Sequence, residues 1–412
     1  MRQIIKIAIR SIKRNIRRTI ITIITICIGV FVIVVVQGFL DGLHEGLVNN
    51  ITKSRTGHIS FFLKDYSTSE ESFNLDLTLN NDIVNHILTN KEVSIEHHTK
   101  RLTFGGMLNF GERSSMFVGM GVEPEKESLV CPYLLDNIVD GRYLNSEQDN
   151  ETGVAEAVIT SSLARSLNVK CGDVLTILSK TKYGALNAID IEVVGLLTDR
   201  LPLSNSKLVL LPISCVQFLL QMESEFTEFT VTLNDVKKIE KVESILNAKL
   251  PTLDIVPWYV SAKIFKDIMN LQNAVFLIVM IVLLIIVVSS IVNTMLMSVY
   301  DRVKEIGTML AIGMLRRDII ILFLTETICL GLFGGIIGLI ISSFTILYFN
   351  VNGFSYIVAP GTDFPLVIYP ILNVSNLIFA FIFSIFASII SAAYPAYKAA
   401  SLLPTVALRN DN

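Results

Sequence analysis

The sequence contains few charged residues for its length. Asp, Glu, Lys and Arg make up 17% of its 412 residues, whereas about 25% is usual for a soluble domain. This deficit, together with a mean hydropathy of +0.58, predicts a protein that lies wholly or partly in a membrane. The net charge of −3 argues against a nucleic-acid-binding protein, because such proteins are usually strongly basic.

Metal- and nucleotide-binding motifs are absent from the sequence as well. The five cysteines include no CxxC pair, which argues against a zinc site or a thioredoxin-like motif. Three of them lie outside the apolar runs, and this odd number does not favour a disulfide framework. The sequence contains no GxxxxGK(S/T) phosphate-binding loop, so we expect no ATP–Mg site and no other cofactor in this chain.

Candidate catalytic groups are equally scarce. The sequence lacks the GxSxG and HExxH motifs of two large hydrolase classes. His97 and His98 are adjacent, and adjacent side chains point apart, so a solvated loop is a better interpretation than a metal site. Glu123, Glu125 and Glu127 lie beside a proline and are predicted to form an exposed turn. We therefore expect a chain without catalytic activity.

Four apolar stretches are long enough to cross a bilayer as helices, which takes about 20 residues. The first is too long for a strand, since strands run to about 4–8 residues. The predicted spans are residues 19–40, 275–297, 319–349 and 377–397. They leave an N-terminal segment 1–18, a large domain 41–274, the loops 298–318 and 350–376, and a tail 398–412.

The basic residues predict the orientation of these spans. Segment 1–18 carries seven Lys and Arg residues and no acid, loop 298–318 carries four, and loop 350–376 carries none. Cytoplasmic segments have an excess of Lys and Arg. Both termini and the 298–318 loop are therefore predicted to be cytoplasmic, with residues 41–274 on the outer side.

A cleaved signal peptide would also begin with basic residues and an apolar stretch. Its apolar part would be about 7–15 residues long and would end in an A-x-A-like site. In this sequence the stretch is longer and continues through Gln37 to Asp41 without such a site. We therefore expect an uncleaved membrane anchor.

Segment 1–18 also has an amphipathic pattern. Isoleucines recur at helical spacing from Ile4 to Ile16, and basic residues fill the opposite side. This pattern predicts a helix that lies on the anionic lipids of the inner leaflet. A signal for topology alone is the alternative, and the two roles are compatible.

Residues 41–274 are enough for one or two packed domains. Strand patterns occur at 57–63, 174–178 and 190–196, and helix patterns at 81–88 and 236–250. The predicted fold is therefore a membrane α-helical protein with four transmembrane helices and a large α+β extracytoplasmic domain between helices 1 and 2. Residues 37–52 and 262–272 continue the flanking spans and are predicted to form a stalk that carries motion.

The 298–318 loop is predicted to contain a short amphipathic helix that ends at Gly313. Val303, Ile306, Met309, Leu310 and Ile312 are assigned to its apolar side. Asp301, Arg302, Lys304 and Glu305 are assigned to the opposite side. The helix is interpreted either as a docking element or as a plain connector at the headgroups.

The third span contains an acidic residue, Glu326, near one end. A hydrogen bond from Asn293 or Thr294 of the second span would offset the cost of burying it. A proton relay would need further ionisable groups, which the other spans lack, so structural pairing is favoured. Downstream, Gly331, Gly334, Gly335 and Gly338 form two overlapping GxxxG steps. Such a face packs closely against another helix, either of this chain or of a partner subunit.

Three motifs together resemble a known family. They are Arg302-x-x-Glu305-Ile306-Gly307-x-x-x-Ala311-Ile312-Gly313, Phe323-Leu324-x-Glu326 with the glycines that follow, and Tyr394-Pro395-Ala396-x-Lys398-Ala399-Ala400-x-x-x-Pro404-x-x-Ala407-Leu408-Arg409. The chain resembles permeases of the MacB/FtsX-like class of ABC transporters, including the lipoprotein-releasing (Lol-type) permeases. It departs from the family pattern at Leu310, where a basic residue is usual.

The resemblance implies a non-catalytic permease of the bacterial inner membrane, paired with a second permease copy or paralogue and with a cytoplasmic ABC ATPase dimer that binds ATP–Mg. The implied ATPase-coupling residues are Asp301, Arg302, Lys304, Glu305, Ile306, Gly307, Ala311 and Gly313. Motifs in the outer domain, such as Gly141-Arg142-Tyr143-Leu144, resemble the lipoprotein-releasing branch most. The alternatives are efflux of a peptide, toxin or drug with an outer-membrane partner, and FtsX-like control of a cell-wall hydrolase.

Overall fold

The computed structural model describes residues 16–66, 73–89, 94–145, 154–199, 207–358 and 365–402. Most of segment 1–18, with its predicted amphipathic helix, and most of the C-terminal tail lie outside these residues. The chain divides into two compact units. We call residues up to Gly46 and from Ile268 onwards the helical unit, and Leu47–Asp267 the domain.

Among the described residues, four helices are long and apolar enough to cross a membrane. They are Ile16–Ile51 with a π-helical turn at Thr52–Thr56, Lys263–Asp301, Arg316–Asn352 and Val374–Ala400. We call them the first to fourth spans. Each contains its predicted apolar stretch and extends beyond it, because a helix can continue through polar residues once its apolar part is formed.

The interior of the helical unit is apolar and receives side chains from all four spans. Ile33, Ile291, Phe323 and Ala387, one from each span, are each 1% exposed. Many other apolar side chains of the spans face outwards, Ile285 at 61% and Phe344 at 71% exposed among them. An outward apolar surface is expected of helices that lipid surrounds.

The domain has the predicted α+β fold. Its described part contains the strands β1 Ile59–Leu63, β2 Ile95–Phe110, β3 Arg113–Val122, β4 Ile138–Gly141, β5 Ala155–Thr160, β6 Val174–Lys180, β7 Leu186–Leu197, β8 Leu208–Pro212, β9 Glu228–Leu233 and β10 Leu253–Pro257. Its helices are α1 Asn81–Leu88, α2 Pro124–Val130, α3 Tyr133–Asp136, α4 Ser161–Leu167, α5 Ile213–Leu220, α6 Ile239–Lys249 and α7 Trp258–Ser261.

Six of these strands close into a ring. The pairs run β2–β3–β8–β5–β7–β6, and β6 returns to β2. The length of β2 permits this closure, since residues 95–101 pair with β9 and residues 106–109 pair with β6. Leu102, Phe104 and Leu108 of β2, each at most 1% exposed, belong to the apolar core of the ring. Beyond β9, strands β1 and β10 extend the sheet.

The structure contradicts the loop predicted for His97 and His98. Both residues lie in β2 and pair with Thr232 and Val231 of β9. The prediction failed because polar residues obscure the strand pattern there, whereas pairing with β9 is a tertiary interaction that overrides local preference.

The exposed turn predicted around Glu123 and Glu127 is also wrong. The segment forms helix α2, and the side chain of Glu127 is 0% exposed. Glu127 is buried because its carboxylate forms an ion pair with Arg101 at 2.7 Å. No local sequence pattern identifies this pairing, since the two residues are 26 positions apart.

The connection between the third and fourth spans forms a hairpin that the sequence did not indicate. Its strands are β11 Phe354–Val358 and β12 Pro365–Ile368. After the hairpin the chain lies against the first span, where the Ile371 amide donates to the Gly38 carbonyl oxygen at 3.0 Å. A Cβ atom at Gly42 would be 2.2 Å from the Tyr369 carbonyl oxygen, so this approach requires glycine.

Candidate functional site

A short helix, Val303–Ala311, follows the second span and lies in the predicted coupling segment. We call it the coupling helix. It ends at Gly313, whose φ of +105° is in the left-handed region. The Gly313 amide donates to the Leu310 carbonyl oxygen at 3.1 Å, and the Met314 amide donates to that of Met309 at 3.0 Å. This pair of bonds is the Schellman arrangement that commonly ends a helix at glycine.

The inner side of the coupling helix packs on the helical unit. Ile306 is 3% exposed, and Gly307 is buried beside it. Ile306 contacts the same apolar core as Met295 and Val299 of the second span. The coupling helix therefore cannot move without disturbing the inner ends of the spans.

The outer side of the coupling helix is a stripe of exposed residues. It consists of Lys304, Glu305, Thr308, Ala311 and Ile312, which follow helical spacing. Leu315, which lies beyond the helix end at Gly313, extends this exposed surface. Two large apolar side chains are exposed in it, Ile312 at 84% and Leu315 at 67%. The prediction that Ile312 belongs to the apolar inner side is wrong. Six residues beyond Ile306, it lies about 240° around the helix from that side.

Arg302 does not lie on the exposed side of the coupling helix, where the sequence prediction placed it. Its side chain is 8% exposed and its Nη1 atom is 3.3 Å from Oε2 of Glu326, which is 7% exposed. Arg302 is therefore one partner of Glu326, in addition to the Asn293 or Thr294 that the sequence suggested as candidates. Thr294 lines the same small cavity as this pair.

The residue before Arg302 forms a second ion pair. Asp301, the last residue of the second span, accepts a hydrogen bond from Arg18 of the first span. Both side chains are partly exposed, at 43% and 33%. Two successive residues thus connect the start of the coupling helix to the first span and to the third span.

The four glycines of the third span face two different helices. Cβ atoms at Gly334 and Gly338 would be 2.9 Å from Ile26 Cβ and from the Cys27 carbonyl oxygen of the first span. Cβ atoms at Gly331 and Gly335 would be 2.3 and 2.6 Å from the hydroxyls of Ser388 and Ser384 in the fourth span. Each GxxxG-like pair, 334/338 and 331/335, therefore permits one close helix contact within this chain.

The fourth span contacts the end of the second span, next to Arg302, through a polar interaction that the sequence did not indicate. Lys398 donates a hydrogen bond to the Tyr300 hydroxyl and lies 4.9 Å from the centre of its ring. Tyr300 is the second residue before Arg302. Tyr300 alone did not predict this contact, because single tyrosines are common at the ends of membrane spans.

Comparison with known proteins identifies two parts of the chain. Residues 19–249 match the model of the MacB-like periplasmic core domain, and residues 277–404 match that of the FtsX-like permease C-terminal part. The macrolide export ATP-binding/permease protein MacB of Bdellovibrio bacteriovorus is 28% identical over 306 residues, covering 70% of this chain and 43% of that protein. An uncharacterised ABC transporter permease of Methanocaldococcus jannaschii is 24% identical over 99% of this chain and 98% of its own length.

The chain spans 43% of the length of the Bdellovibrio protein and 17% of that of a MacB protein from Campylobacter jejuni. Among solved structures, the periplasmic region of MacB from Actinobacillus actinomycetemcomitans matches at 17% identity with a TM-score of 0.36. This match covers 54% of this chain and 96% of that structure.

Proposed function

This chain belongs to the family of ABC transporter permeases that join a MacB-like periplasmic core domain to an FtsX-like C-terminal part, and we propose that a separate ATPase drives it. The motif-based resemblance to this family is confirmed. The relative from Methanocaldococcus, called a permease and matched over 98% of its length, supports a permease with its ATPase on another chain. ATP binding there would move the coupling helix, and the spans would pass the motion to the domain.

The exposed stripe of the coupling helix is the observation that carries this proposal. Ile312 is 84% exposed and Leu315 is 67% exposed in the proposed cytoplasmic loop. Apolar side chains this exposed to water are unfavourable unless a partner covers them. Lys304 and Glu305 at the other end of the stripe supply charges for orienting that partner. We propose that the ATPase docks on this stripe, whereas Arg302, Ile306 and Gly307 connect the docked helix to the spans.

Substitution of Ile312 tests the docking. Ile312→Asp should weaken binding of the cognate ATPase by at least about tenfold, because it places a charge in an apolar contact. Glu305→Lys should weaken binding more modestly. Binding is measured by titrating labelled ATPase onto the permease in nanodiscs, and thermal unfolding of each variant is measured alongside.

Val351→Asp is the matched control. Val351 is 80% exposed at the end of the third span opposite Arg316, so the same substitution should leave ATPase binding unchanged. Equal binding of the Ile312 and Val351 variants would refute docking at the stripe. Gly307→Trp is a poorer test, because Gly307 is buried and a large side chain would disrupt packing.

We propose a location in a bacterial inner membrane, with both termini and the coupling helix cytoplasmic and the domain periplasmic. The basic residues of segment 1–18 and loop 298–318 support this orientation. A membrane-impermeant thiol reagent should label Glu112→Cys in intact cells and Thr308→Cys only after permeabilisation. Both positions are exposed, so labelling of Thr308→Cys in intact cells would reverse the assignment.

The proposed substrate is a lipoprotein of a diderm bacterium, which the domain's motion would release from the inner membrane toward an acceptor. The motifs of the domain that resemble lipoprotein-releasing permeases support this choice. Depletion should cause lipoproteins to accumulate in the inner membrane. Loss of drug or toxin resistance without that accumulation would favour efflux, the activity in the MacB relative's name, and chained cells would favour control of a cell-wall hydrolase.

The proposed assembly contains two permease chains, either two copies of this one or this one with a paralogue. The similarity to MacB-like permeases supports pairing, since the ATPases of this class work as dimers. Co-purification of differently tagged copies from one cell would establish a homodimer. Recovery of a second, different permease with each tag would establish a heterodimer.

A further inference from the structure

Three charged side chains meet in the domain next to the π-helical turn Thr52–Thr56, two of them fully buried and the third, Glu228, 13% exposed. Arg101 of β2 is 1% exposed, and its Nε and Nη2 atoms donate to the carboxylate of Glu127 at 2.7–3.1 Å. Its Nη1 atom donates to Oε1 of Glu228 of β9 at 3.1 Å. We call these residues the ionic cluster. Loss of one partner from a buried ion pair leaves an uncompensated charge, so the cluster holds three elements of the domain in one arrangement.

Arg101 and Glu228 are charged at neutral pH. Burial by itself would lower the pKa of Arg101, but attraction to Glu127 and Glu228 raises that pKa well above its ordinary value. Burial alone would raise the pKa of Glu228. The Arg101 charge and hydrogen bonds from the hydroxyls of Thr230 and Ser60 lower it by more, so the net shift of the pKa is downward. Arg55, a residue of the π-helical turn, also lowers the pKa of Glu228.

Two side chains extend the ionic cluster to the backbone of the π-helical turn. Cys131 accepts from Arg101 Nη2 at 3.1 Å and donates to the Thr52 carbonyl oxygen at 3.8 Å. Burial raises the pKa of the Cys131 thiol to about 12, so the thiol keeps the proton that it donates. The Ser60 hydroxyl lies 2.8 Å from Oε1 of Glu228 and 3.3 Å from the Thr56 carbonyl oxygen. Cys131 thus holds the first residue of the turn by a hydrogen bond, whereas Ser60, whose single proton goes to the nearer Glu228 carboxylate, contacts the last residue of the turn without donating to it.

A π-helical turn needs such support. It is a rare conformation that occurs mostly as single turns, frequently at functional sites. The chain leaves this one through Gly57, at φ +58°, where a Cβ atom would be 2.4 Å from Thr230 Cγ2. The turn therefore depends on packing and hydrogen bonds from the sheet below it.

We infer that the ionic cluster, acting through Cys131 and Ser60, is a clamp that fixes the π-helical turn to the sheet. When the first span moves, β1 and β9 then move with it, because the turn between them does not deform. This inference rests on the proposed function, because a clamp matters to the activity only if motion passes along the first helix. These residues are positioning residues that act through the backbone of the turn.

Hydrogen–deuterium exchange of the full chain in nanodiscs, without ATPase, tests the clamp itself. The probes are the amides of Gly57 and His58, which donate to Thr52 and Val231 at 2.9 Å each. The double variant Cys131→Ala/Ser60→Ala should exchange at these amides at least about tenfold faster than wild type, with β5 to β8 unchanged. Unchanged exchange at Gly57 and His58, or faster exchange throughout the ring, would overturn the inference.

The matched control is Cys215→Ala/Ser179→Ala. These two side chains are also buried, at 8% and 3% exposed. Cys215 lies in helix α5, and Ser179 lies in β6, a strand of the ring. This variant should leave exchange at Gly57 and His58 as in wild type. Equal acceleration in both double variants would show general softening of the domain and no clamp.

The same variants in complex with the ATPase test transmission. Cys131→Ala/Ser60→Ala should keep ATPase affinity within about twofold of wild type but reduce substrate release at least about tenfold, while the control variant retains release. Undiminished release would overturn the role in transmission. Failure of wild type itself to bind an ATPase would instead count against the proposed function, and the exchange experiment would still decide on the clamp.

Discussion

At the scale of single residues, Arg302 and Glu326 show how a charge is tolerated close to the ends of the spans. Each is less than a tenth exposed, at 8% and 7%, and each would be costly to bury alone. Arg302 also begins the coupling helix, and Glu326 lies in the third span. A pair that offsets the cost of burial therefore also joins the coupling helix to the third span.

A double-mutant cycle measures this coupling. Arg302→Met and Glu326→Leu should each destabilise the chain by roughly 3–5 kcal/mol, because each breaks a buried ion pair by removing one of its two charges. The double variant should be destabilised by clearly less than the sum of the two. Reversible unfolding in mixed micelles provides the free energies, and additive effects would show that the two side chains do not interact.

In the domain, the lowered pKa of Glu228 predicts acid sensitivity. A carboxyl group with a lowered folded-state pKa stabilises the fold above its unfolded pKa and loses that contribution as pH falls through the folded value. Stability should therefore decline below about pH 5. Glu228→Gln should cost roughly 1.5–3 kcal/mol at pH 7, the range for a hydrogen bond to a charged group, and should flatten the acid decline.

Trp258, the single tryptophan of the chain, is 7% exposed in the domain and provides a fluorescence signal for this unfolding. Glu192→Gln serves as the control, because Glu192 is exposed on β7 and its replacement should leave the pH profile unchanged. A Glu228→Gln profile as steep as that of wild type would contradict the prediction.

At the scale of elements, the third span is the central helix of the unit because its glycines face two neighbours. The atoms that a new Cβ would meet differ in kind. At Gly338 the nearest is a backbone oxygen of Cys27, at 2.9 Å, whereas at Gly335 it is the hydroxyl of Ser384, at 2.6 Å. A hydroxyl can rotate away, but a backbone oxygen moves only with its helix.

Alanine substitutions should therefore differ between these glycines. Gly338→Ala should destabilise the chain by about 1–3 kcal/mol, since the first and third spans must separate. Gly335→Ala should cost less than about 1 kcal/mol. Thermal unfolding in detergent compares the two variants under identical conditions, and a Gly335→Ala variant as unstable as Gly338→Ala would rule out this explanation.

At the scale of the whole molecule, the division at Gly46/Leu47 and Asp267/Ile268 separates a helical unit whose outer surface is largely apolar from a domain that has its own apolar core. Residues 47–267, expressed alone, should fold as a soluble domain that unfolds cooperatively. The closed ring of strands and its apolar core lie entirely within these residues. Calorimetry and Trp258 fluorescence should report coincident transitions, and a broad, probe-dependent transition would contradict the independence of the domain.

The spans, the α+β class of the domain and the short helix after the second span could be predicted because their signals are local. A run of apolar residues, a change of period or a glycine at a helix end acts within about 20 residues of chain. Family membership was readable for the same reason, since its motifs lie in the membrane segments and in the loop between the second and third spans.

Which residues meet was decided only by the tertiary structure. Arg101 finds Glu127 and Glu228 from positions 26 and 127 residues away, and Arg302 turns inward to Glu326 although its neighbours Asp301 and Lys304 are exposed. A charged residue carries the same local signal whether its partner is water, a distant carboxylate or another protein. The sequence by itself thus determined the membrane helices and the class of the domain, whereas burial and pairing, which depend on the whole fold, determined the role of each charge.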